Sequence, residues 1–402
     1  MKVLLVSTAW PWPTRKGYQL RLLQLAEGLA TRHQVTLLVP AGPASPPRPP
    51  LGPSCGIETF RVSRRSAARG VTAALFAGRS LESGLVASQD LRRRLRELAP
   101  RFDRVLLQLV RLAGVRDALA DIPWLLDLVD SLSLNLARRA ELDRFWMRPL
   151  LLFEARRLAA DEQRMIAASS AALLVSERDR RHLAATLPAH LAARLRVVPL
   201  AHTPATHPAV SASARAARAA RPARPADDVE LAITGNLGYF PTARGVGWFL
   251  DEVWPEVARK VPRARLLVAG ARPPRSLVRR VRAVGGRLVA DPDDLPALLA
   301  AADLALAPLL AGSGTPIKLL EALAAGIPAV ATPAAAEGLD PALARCVAIP
   351  DGAAGWVTTL HGLIANPVAA RARALVGAQL VRELHDPGRV AEALHEALLP
   401  PG

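Results

Sequence analysis

The chain has 402 residues, of which 51% are hydrophobic and 4% aromatic, so it is long enough for two domains of ordinary size and too apolar to be disordered. Lys and Arg number 52 against 35 Asp and Glu, which gives a net charge of +17 at pH 7. The arginines are scattered through helical stretches without the interleaved aromatic side chains that stack on bases, and this pattern argues against a nucleic-acid partner.

Cysteine usage and hydropathy bear on the cellular compartment. Cys55 and Cys346 are too few and too far apart for a metal knuckle or a disulfide framework, as expected in a reducing environment. The sequence opens on an apolar strand rather than a signal peptide, and no uninterrupted apolar run reaches the roughly 18 residues that span a membrane. We therefore expect a cytoplasmic protein, whose positive charge also suits peripheral contact with an anionic membrane.

The first half of the chain predicts strands that alternate with helices, the pattern of a parallel sheet. Apolar runs at 2–7 and 34–39 predict two strands joined by an amphipathic helix over 18–31. The loop before this helix ends at Gly17 and contains no GxGxxG, so the dinucleotide-binding fingerprint is absent. Further strands are predicted at 57–62, 105–109, 123–128, 171–175 and 196–198.

Polar side chains follow the predicted strand at 123–128, at the edge where an open parallel sheet presents its ligand site. Asp127 and Asp130 can position an acceptor hydroxyl or take its proton. Equally, Asp130 or Ser131 can be no more than the N-cap of the next helix.

That next helix is predicted over 133–168, with a break near Pro149. Its arginines predict either a solvated charged face or a patch that binds lipid phosphates. They are Arg138, Arg139, Arg144, Arg148, Arg156, Arg157 and Arg164.

Residues 203–228 are low in complexity and free of hydrophobic periodicity, so they are predicted to be a linker. The second half then starts with an apolar strand at 229–235, which is followed by Asn236 and a crossover helix over 244–260. The remaining strands are predicted at 265–269, 285–290, 304–308, 327–332 and 346–349.

Asp291, Pro292 and Asp293 have the spacing of an Asp-x-Asp metal motif, but a proline between two turn-forming residues is typical of a stiff turn. We expect this turn to precede a helix capped from Asp294, and we expect no metal there.

The stretch over 304–338 predicts a strand, a glycine-rich loop, a helix and a second strand, which together form a βαβ unit. Its loop contains Gly312, Ser313, Gly314, Thr315 and Pro316. The glycines permit tight backbone geometry, Thr315 can cap the helix, and Pro316 suits the first helical position. Such a loop at a helix N-terminus, beside the carboxyl ends of parallel strands, is a place where anionic ligands bind.

Two charges in the helix after this loop suggest a ligand. Lys318 lies in the first turn, where a cation opposes the helix dipole, and it precedes Glu321 in the poorer order for a helical ion pair. One hypothesis is that Lys318 meets a diphosphate while Glu321 accepts hydrogen bonds from a sugar diol. The alternative is a solvated charge pair on an ordinary crossover helix.

The segment GSGTPIKLLEALAAGIPAVATPAAAEGL, from 312 to 339, closely resembles the donor site of GT-B glycosyltransferases of the family 4 type. TGNLGYFPTARGVGWFLDEVW, from 234 to 254, resembles the opening strand, loop and helix of the donor-binding half in a subgroup of those enzymes. The first βαβ unit over 3–40 and the stretch over 107–139 are also similar to that family, and the matches occur in the family's order.

The resemblance implies an α/β protein of the GT-B class, with two Rossmann-like, doubly wound parallel-sheet domains facing a central cleft. Residues 1–202 are then the acceptor-binding domain and 229–380 the domain that binds a nucleotide sugar. A C-terminal helix over 381–402 is expected to return to the first domain.

For function, the resemblance implies a glycosyltransferase that moves a sugar from a nucleotide-diphosphate sugar to the hydroxyl of a glycan, a lipid-linked acceptor or a small molecule. It implies retention of configuration and no metal or other cofactor. A nucleotide-sugar epimerase of the same build and a catalytically silent nucleotide-binding scaffold remain alternatives. Incubation with donor sugars alone separates the epimerase, since only an epimerase changes the sugar without an acceptor.

Site residues follow from the motif matches. Lys318 and Arg244 are expected to bind the diphosphate, Glu321 the donor's sugar hydroxyls, and Asp130 the acceptor. The backbone at Gly17, at Asn236 and over 312–316 is expected to approach the donor. Many family members carry a second glutamate at the position that is Ser313 in this chain.

Overall fold

The computed structural model describes residues 1–14, 16–41, 51–119, 121–202 and 228–399. The chain divides into two compact units, one formed by Met1–Ala201 with Pro387–Gly402 and the other by His202–Asp386. The linker predicted at 203–228 lies outside the described residues except for Asp228.

The first unit is built on a parallel sheet of seven strands in the order β3-β2-β1-β4-β5-β6-β7. The strands are β1 (Lys2–Val6), β2 (Gln34–Pro40), β3 (Cys55–Phe60), β4 (Arg104–Gln108), β5 (Trp124–Val129), β6 (Ala172–Leu174) and β7 (Leu195–Val197). All seven were predicted from their apolar runs. In register, Val3 of β1 stands beside Val35 of β2 and Arg104 of β4.

Alternate residues of β1 explain why the runs are apolar throughout. Leu4 and Val6 belong to one buried cluster, whereas Val3 and Leu5 belong to another. Because successive side chains point to opposite faces of a sheet, helices must cover both faces, as in a doubly wound fold.

The helices of this unit are α1 (Gly17–Ala30), α2 (Arg64–Phe76), α3 (Leu81–Val86), α4 (Gln89–Leu98), α5 (Leu132–Leu142), α6 (Arg148–Ala168), α7 (Glu177–Ala184) and α8 (Ala189–Ala192). Short 3₁₀ segments cover Ala99–Arg101 and Val110–Ala118. The helix predicted over 133–168 is broken between α5 and α6, where Pro149 occupies the first turn of α6.

The second unit contains a parallel sheet of five strands in the order β10-β9-β8-β11-β12. These are β8 (Val229–Asn236), β9 (Ala264–Ala271), β10 (Arg287–Ala290), β11 (Leu304–Ala307) and β12 (Ala329–Ala331). A sixth strand was predicted at 346–349, but this prediction was wrong: only a single bridge joins Ala348 to Val330.

The helices of the second unit are α9 (Phe240–Trp248), α10 (Trp254–Lys260), α11 (Arg275–Ala283), α12 (Leu295–Ala300), α13 (Ile317–Ala324), α14 (Pro333–Ala336), α15 (Pro341–Ala344), α16 (Gly352–Ala365) and α17 (Pro367–Leu384). A π-helical turn at Phe249–Val253 joins α9 to α10. Asp294 caps α12 by accepting a hydrogen bond from Ala297 N at 2.8 Å.

The crossover helix was predicted to begin at Arg244, and this start was wrong. The helix begins at Phe240, because Tyr239 has extended backbone and Pro241 suits the first turn. Arg244 therefore lies in the second turn of α9 rather than at its start.

The last helix, α18 (Pro387–Leu398), belongs to the first unit and packs on α1. Its residues Val390, Leu394 and Leu398 share a buried cluster with Leu25 and Leu29 of α1. The second unit extends to Asp386 rather than to 380, since α17 continues to Leu384. None of the helices described here is long and apolar enough to cross a membrane.

Candidate functional site

The glycine-rich loop lies at the carboxyl ends of the strands of the second sheet. It connects β11 to α13, and β11 lies between β8 and β12, with Leu306 in register with Ile233. Because all three strands are parallel, the ends of β8 and β11 and the start of α13 share one edge of the sheet.

Residues after β12 brace this loop. Thr315 Oγ1 donates a hydrogen bond to Gly338 O at 3.0 Å. A Cβ atom at Gly338 would lie 1.8 Å from Gly314 O, so only glycine permits this close approach of two backbone segments. The loop is therefore held in one place by the segment that follows α14.

The predicted cap of α13 needs correction. Pro316 itself is the N-cap residue, and no side chain caps the helix. Its carbonyl accepts from Leu319 N at 2.9 Å, while the Thr315 hydroxyl is turned toward Gly338. Thr315 thus fixes the loop instead of capping the helix, and Pro316 precedes the first helical residue, Ile317.

Lys318 extends from α13 toward the end of β8. Its Nζ atom lies so close to Gly235 that a Cβ there would be 3.2 Å away, and Nζ makes no hydrogen bond or ion pair with any residue described. Burial lowers the pKa of Lys318 to about 8, against the opposing effect of the Glu321 carboxylate. Burial likewise raises the pKa of Glu321 to about 7, although the Lys318 charge opposes this.

This arrangement favours an external anion. A partly desolvated ammonium group that lacks a hydrogen-bonded protein partner gains more from a bound anion than a solvated one does. The neighbouring Glu321 offers carboxylate oxygens, which accept hydrogen bonds from hydroxyl groups.

Asn236 ends β8 and holds the turn into α9. Its side-chain oxygen accepts a hydrogen bond from Gly238 N at 3.1 Å, which is an Asx turn. The turn therefore fixes the Asn236 side chain through one of the two lone pairs of its oxygen.

Arg244 is exposed on α9, and the described part of the chain offers it no ion-pair partner. The helix runs very close to the loop, since a Cβ at Gly245 would lie 1.8 Å from Pro308 O. Glycine at 245 thus allows the helical turn that carries Arg244 to approach Pro308, the first residue of the loop after β11.

In the first unit, the structure separates the two predicted carboxylates. Ser131 is the N-cap of α5 and accepts a hydrogen bond from Leu134 N at 3.3 Å. Asp127 is fully buried in an ion pair with Arg21, so it cannot reach an acceptor. Asp130 is partly exposed after β5, and of these two carboxylates it is the one that solvent reaches.

Gly17 is the first residue of α1 and is exposed. It follows the loop that begins after β1, so it lies beyond the carboxyl end of that strand. Gly17 belongs to the first unit, whereas Lys318, Glu321, Arg244 and Asn236 belong to the second.

Sequence reasoning missed a buried carboxylate beside Asp130. Glu162 of α6 accepts hydrogen bonds from Ser133 Oγ at 2.6 Å and Ser133 N at 3.1 Å. Burial raises the pKa of Glu162 to about 7, and the charge of Asp130 adds to this increase. The signal was present in the sequence, because Glu162 interrupts the apolar stripe formed by Leu158, Met165 and Ile166.

Comparisons with known proteins agree with this architecture. Residues 228–366 match the family model described as glycosyl transferases group 1. A search of curated protein sequences finds no match.

Three solved structures illustrate the structural similarity. Sucrose-phosphate synthase from Thermosynechococcus elongatus is 15% identical, with 98% of this chain and 97% of that chain covered and a TM-score of 0.74. WaaG, a glycosyltransferase involved in lipopolysaccharide biosynthesis, is 18% identical over both full chains, with a TM-score of 0.67. HepE from Anabaena, solved with UDP and glucose, is 14% identical over 99% of both chains, with a TM-score of 0.67. These likenesses confirm the predicted GT-B fold.

Proposed function

We propose that this chain moves a sugar from a nucleotide-diphosphate sugar to an acceptor hydroxyl, because residues 228–366 match the family model of the glycosyl transferases of group 1. The observation that carries the proposal is the position of Lys318. Its ammonium group lies over Gly235, beside a braced glycine loop at the carboxyl edge of a parallel sheet, and lacks a hydrogen-bonded partner among the described residues. A diphosphate supplies the anion that this position favours.

In the proposed reaction the anomeric C–O bond to the diphosphate breaks and its electron pair stays on the leaving oxygen. A new bond forms from the anomeric carbon to the acceptor oxygen, whose proton passes to a donor phosphate oxygen. Lys318 and Arg244 would stabilise the negative charge that develops on the diphosphate, which is usually the dominant contribution in such catalysis. Because two protein cations can supply this stabilisation, we propose that the enzyme needs no metal. The resemblance to GT-B enzymes of the family 4 type supports a second proposal, that the acceptor attacks from the face of the leaving group and the anomeric configuration is retained.

The remaining site residues have supporting roles in this proposal. Glu321 would accept hydrogen bonds from the donor's sugar hydroxyls. The backbone over 312–316, at Asn236 and at Gly17 would line the donor, and Asp130 would position the acceptor hydroxyl. The acceptor would be a saccharide, a lipid-linked saccharide or a small molecule.

The cellular setting is also a proposal. The free thiols of Cys55 and Cys346 suit a reducing compartment, so we propose that the enzyme acts in the cytoplasm. Its excess of 17 positive charges would favour peripheral contact with an anionic membrane.

The test is a transfer assay with a matched pair of lysine variants. UDP-glucose is the first donor to examine, because HepE was solved with UDP and glucose. Lys318→Ala should lower transfer about 100-fold or more, the loss typical when one group that stabilises developing charge is removed. Lys260→Ala, which alters an exposed lysine at the end of α10, should leave transfer unchanged.

Equal turnover of both variants would overturn the assignment of Lys318. The donor alone should stay intact apart from slow hydrolysis, whereas conversion into an isomeric sugar without acceptor would identify an epimerase instead.

A further inference from the structure

The first unit carries an exposed apolar face on α2 and α6. Phe76, at the end of α2, is 87% exposed, and Phe145, before α6, is 86% exposed. Large aromatic side chains in contact with water to this extent are unusual in a globular protein, and a cluster of them marks an interaction surface. The face, called here the aromatic face, consists of Leu75, Phe76, Phe145, Trp146, Leu150 and Phe153.

The aromatic face is continuous across the two helices. Trp146, Leu150, Phe153 and Arg157 recur at intervals of four, three and four residues, which places them along one side of α6 and the turn before it. The guanidinium carbon of Arg157 lies 4.4 Å from the centroid of the Phe153 ring. Arg157 Nη2 also donates to Leu75 O at 3.2 Å, so the end of α2 lies directly beside this stripe.

Exposed arginines on the same two helices lack acidic partners. These arginines are Arg64, Arg65 and Arg69 on α2 and Arg148 and Arg156 on α6. None of the five forms an ion pair with any described residue. Several arginines on other helices of the first unit are paired instead. On α4 and α7, Arg93 pairs with Asp90 and Arg180 with Glu177, each within the same helix. These arginines of α2 and α6 are therefore available to external anions.

This combination of chemistry fits one kind of partner. Aromatic and leucine side chains insert into the headgroup and acyl boundary of a bilayer, while neighbouring arginines reach the lipid phosphates. Nucleic acid fits less well, because Leu75 and Leu150 offer no ring on which a base can stack. A protein partner fits less well too, because arginines without acidic partners stand on both helices, and a protein would need a matching acidic patch whereas an anionic bilayer supplies phosphates across its whole surface. We propose that the aromatic face docks this chain on the surface of an anionic phospholipid bilayer.

The proposal can be tested by sedimentation of the full chain with vesicles. Vesicles of phosphatidylcholine alone should bind weakly, and an equal mixture with phosphatidylglycerol should bind strongly. Arg69 stands two helical turns before Phe76 on the same side of α2, and Arg156 follows Phe153 by three residues on α6. Removing these two arginines in R69Q/R156Q should weaken binding to the anionic vesicles about 25-fold, since each basic residue near such a surface contributes about five-fold. Replacing Phe76, Phe145 and Phe153 by Ser should weaken binding to both vesicle types, because the inserted apolar area is lost.

A matched control removes the same charge elsewhere. Arg275 and Arg279 are exposed on α11 of the second unit, and R275Q/R279Q should bind anionic vesicles as the wild type does. All these variants alter exposed side chains, so unchanged thermal unfolding midpoints will show that they fold. Inorganic phosphate that replaces chloride at constant ionic strength should not displace the protein, which separates a bilayer from a site for a free phosphate.

Trp146 gives a second readout. Brominated anionic lipids should quench tryptophan emission in the wild type and quench it less in Trp146→Phe. The proposal is overturned if the wild type ignores anionic vesicles, if both arginine variants bind equally, or if a single-stranded RNA binds tightly where vesicles do not. Vesicle binding does not require sugar transfer, so loss of one activity with retention of the other shows which proposal has failed.

Discussion

Arg21 of α1 and Asp127 of β5 form an ion pair in which Nη2 lies 3.2 Å from Oδ1 and neither side chain is exposed. Arg21 Nη1 also donates to Pro199 O at 2.8 Å, so one side chain ties a helix, a strand and the segment after β7. Desolvation raises the pKa of Asp127 although Arg21 opposes the shift. Asp127 Oδ2 has no hydrogen-bond partner among the described residues. The pair is therefore a structural element of the first unit.

Breaking this pair should destabilise the first unit strongly. Arg21→Met leaves the Asp127 carboxylate buried without its cation, and such a change typically costs about 3–5 kcal/mol in the free energy of unfolding. The double variant R21M/D127L replaces both charges by apolar side chains, so it should recover most of that loss. Urea unfolding of the three proteins measures the difference. If Arg21→Met unfolds at the same urea concentration as the wild type, water must solvate the Asp127 carboxylate in the folded variant.

The strands could be predicted because their signal is local. The apolar runs in β1, β2 and β11 are buried on both faces, and no partner needs to be known in order to recognise them. The single bridge at Ala348 shows the limit of this reasoning, since an apolar run does not guarantee a full ladder. Apolar composition therefore predicts burial more securely than pairing.

The buried polar groups could not be assigned, because their partners are far away in sequence. Asp127 was one of two carboxylates that could position an acceptor, but Arg21 lies 106 residues earlier and neutralises it. Thr315 was predicted to cap α13, but its hydroxyl instead reaches Gly338, 23 residues later. When a polar side chain can form several local hydrogen bonds, tertiary contacts decide which one forms, and a sequence pattern does not contain those contacts.

Donor binding should depend on pH through Lys318. The pKa of Lys318 is lowered to about 8, so its ammonium group loses its proton as the pH rises through that value. If Lys318 binds the diphosphate, affinity for UDP should be high below pH 8 and fall by up to tenfold for each pH unit above it. Calorimetric titration with UDP over this range provides the measurement.

Lys318→Arg is the decisive control for this titration. A guanidinium group stays charged throughout, so the fall in UDP affinity above pH 8 should disappear even if the affinity itself is lower. The same pH dependence in both proteins would assign it to another group.

The brace between Gly338 and the glycine-rich loop should be sensitive to a single methyl group. In Gly338→Ala the new Cβ would meet Gly314 O at 1.8 Å, so the loop must move and UDP affinity should fall. In Gly362→Ala, on an exposed part of α16, a Cβ meets nothing within 4 Å. That control should keep its UDP affinity and gain about 0.5–1 kcal/mol of stability, because alanine favours a helix interior. Equal UDP affinity in the two variants would contradict a role for the brace.

Acid should loosen the last helix from the first unit. His395 Nδ1 of α18 lies 3.1 Å from Nε2 of His33, and His395 Nε2 lies 3.1 Å from Thr31 Oγ1. Burial lowers the pKa of both histidines, and the charges of the other histidine, the amino terminus and Arg32 lower that of His33 further. For His395, Arg32 lowers the pKa while Glu392 opposes it.

A lowered folded-state pKa means that the unfolded chain binds more protons, so the contact is fully stable above about pH 6.5 and weakens as the pH falls below it. Hydrogen exchange of α18, corrected for intrinsic rates, should therefore show less protection at acid pH than at neutral pH. In His395→Gln a polar side chain that does not titrate replaces the imidazole, so the protection of α18 should no longer depend on pH. His190→Gln, which changes an exposed histidine on α8, should retain it. Uniform protection of α18 in the wild type across the same range would show that the two rings do not control the attachment of α18.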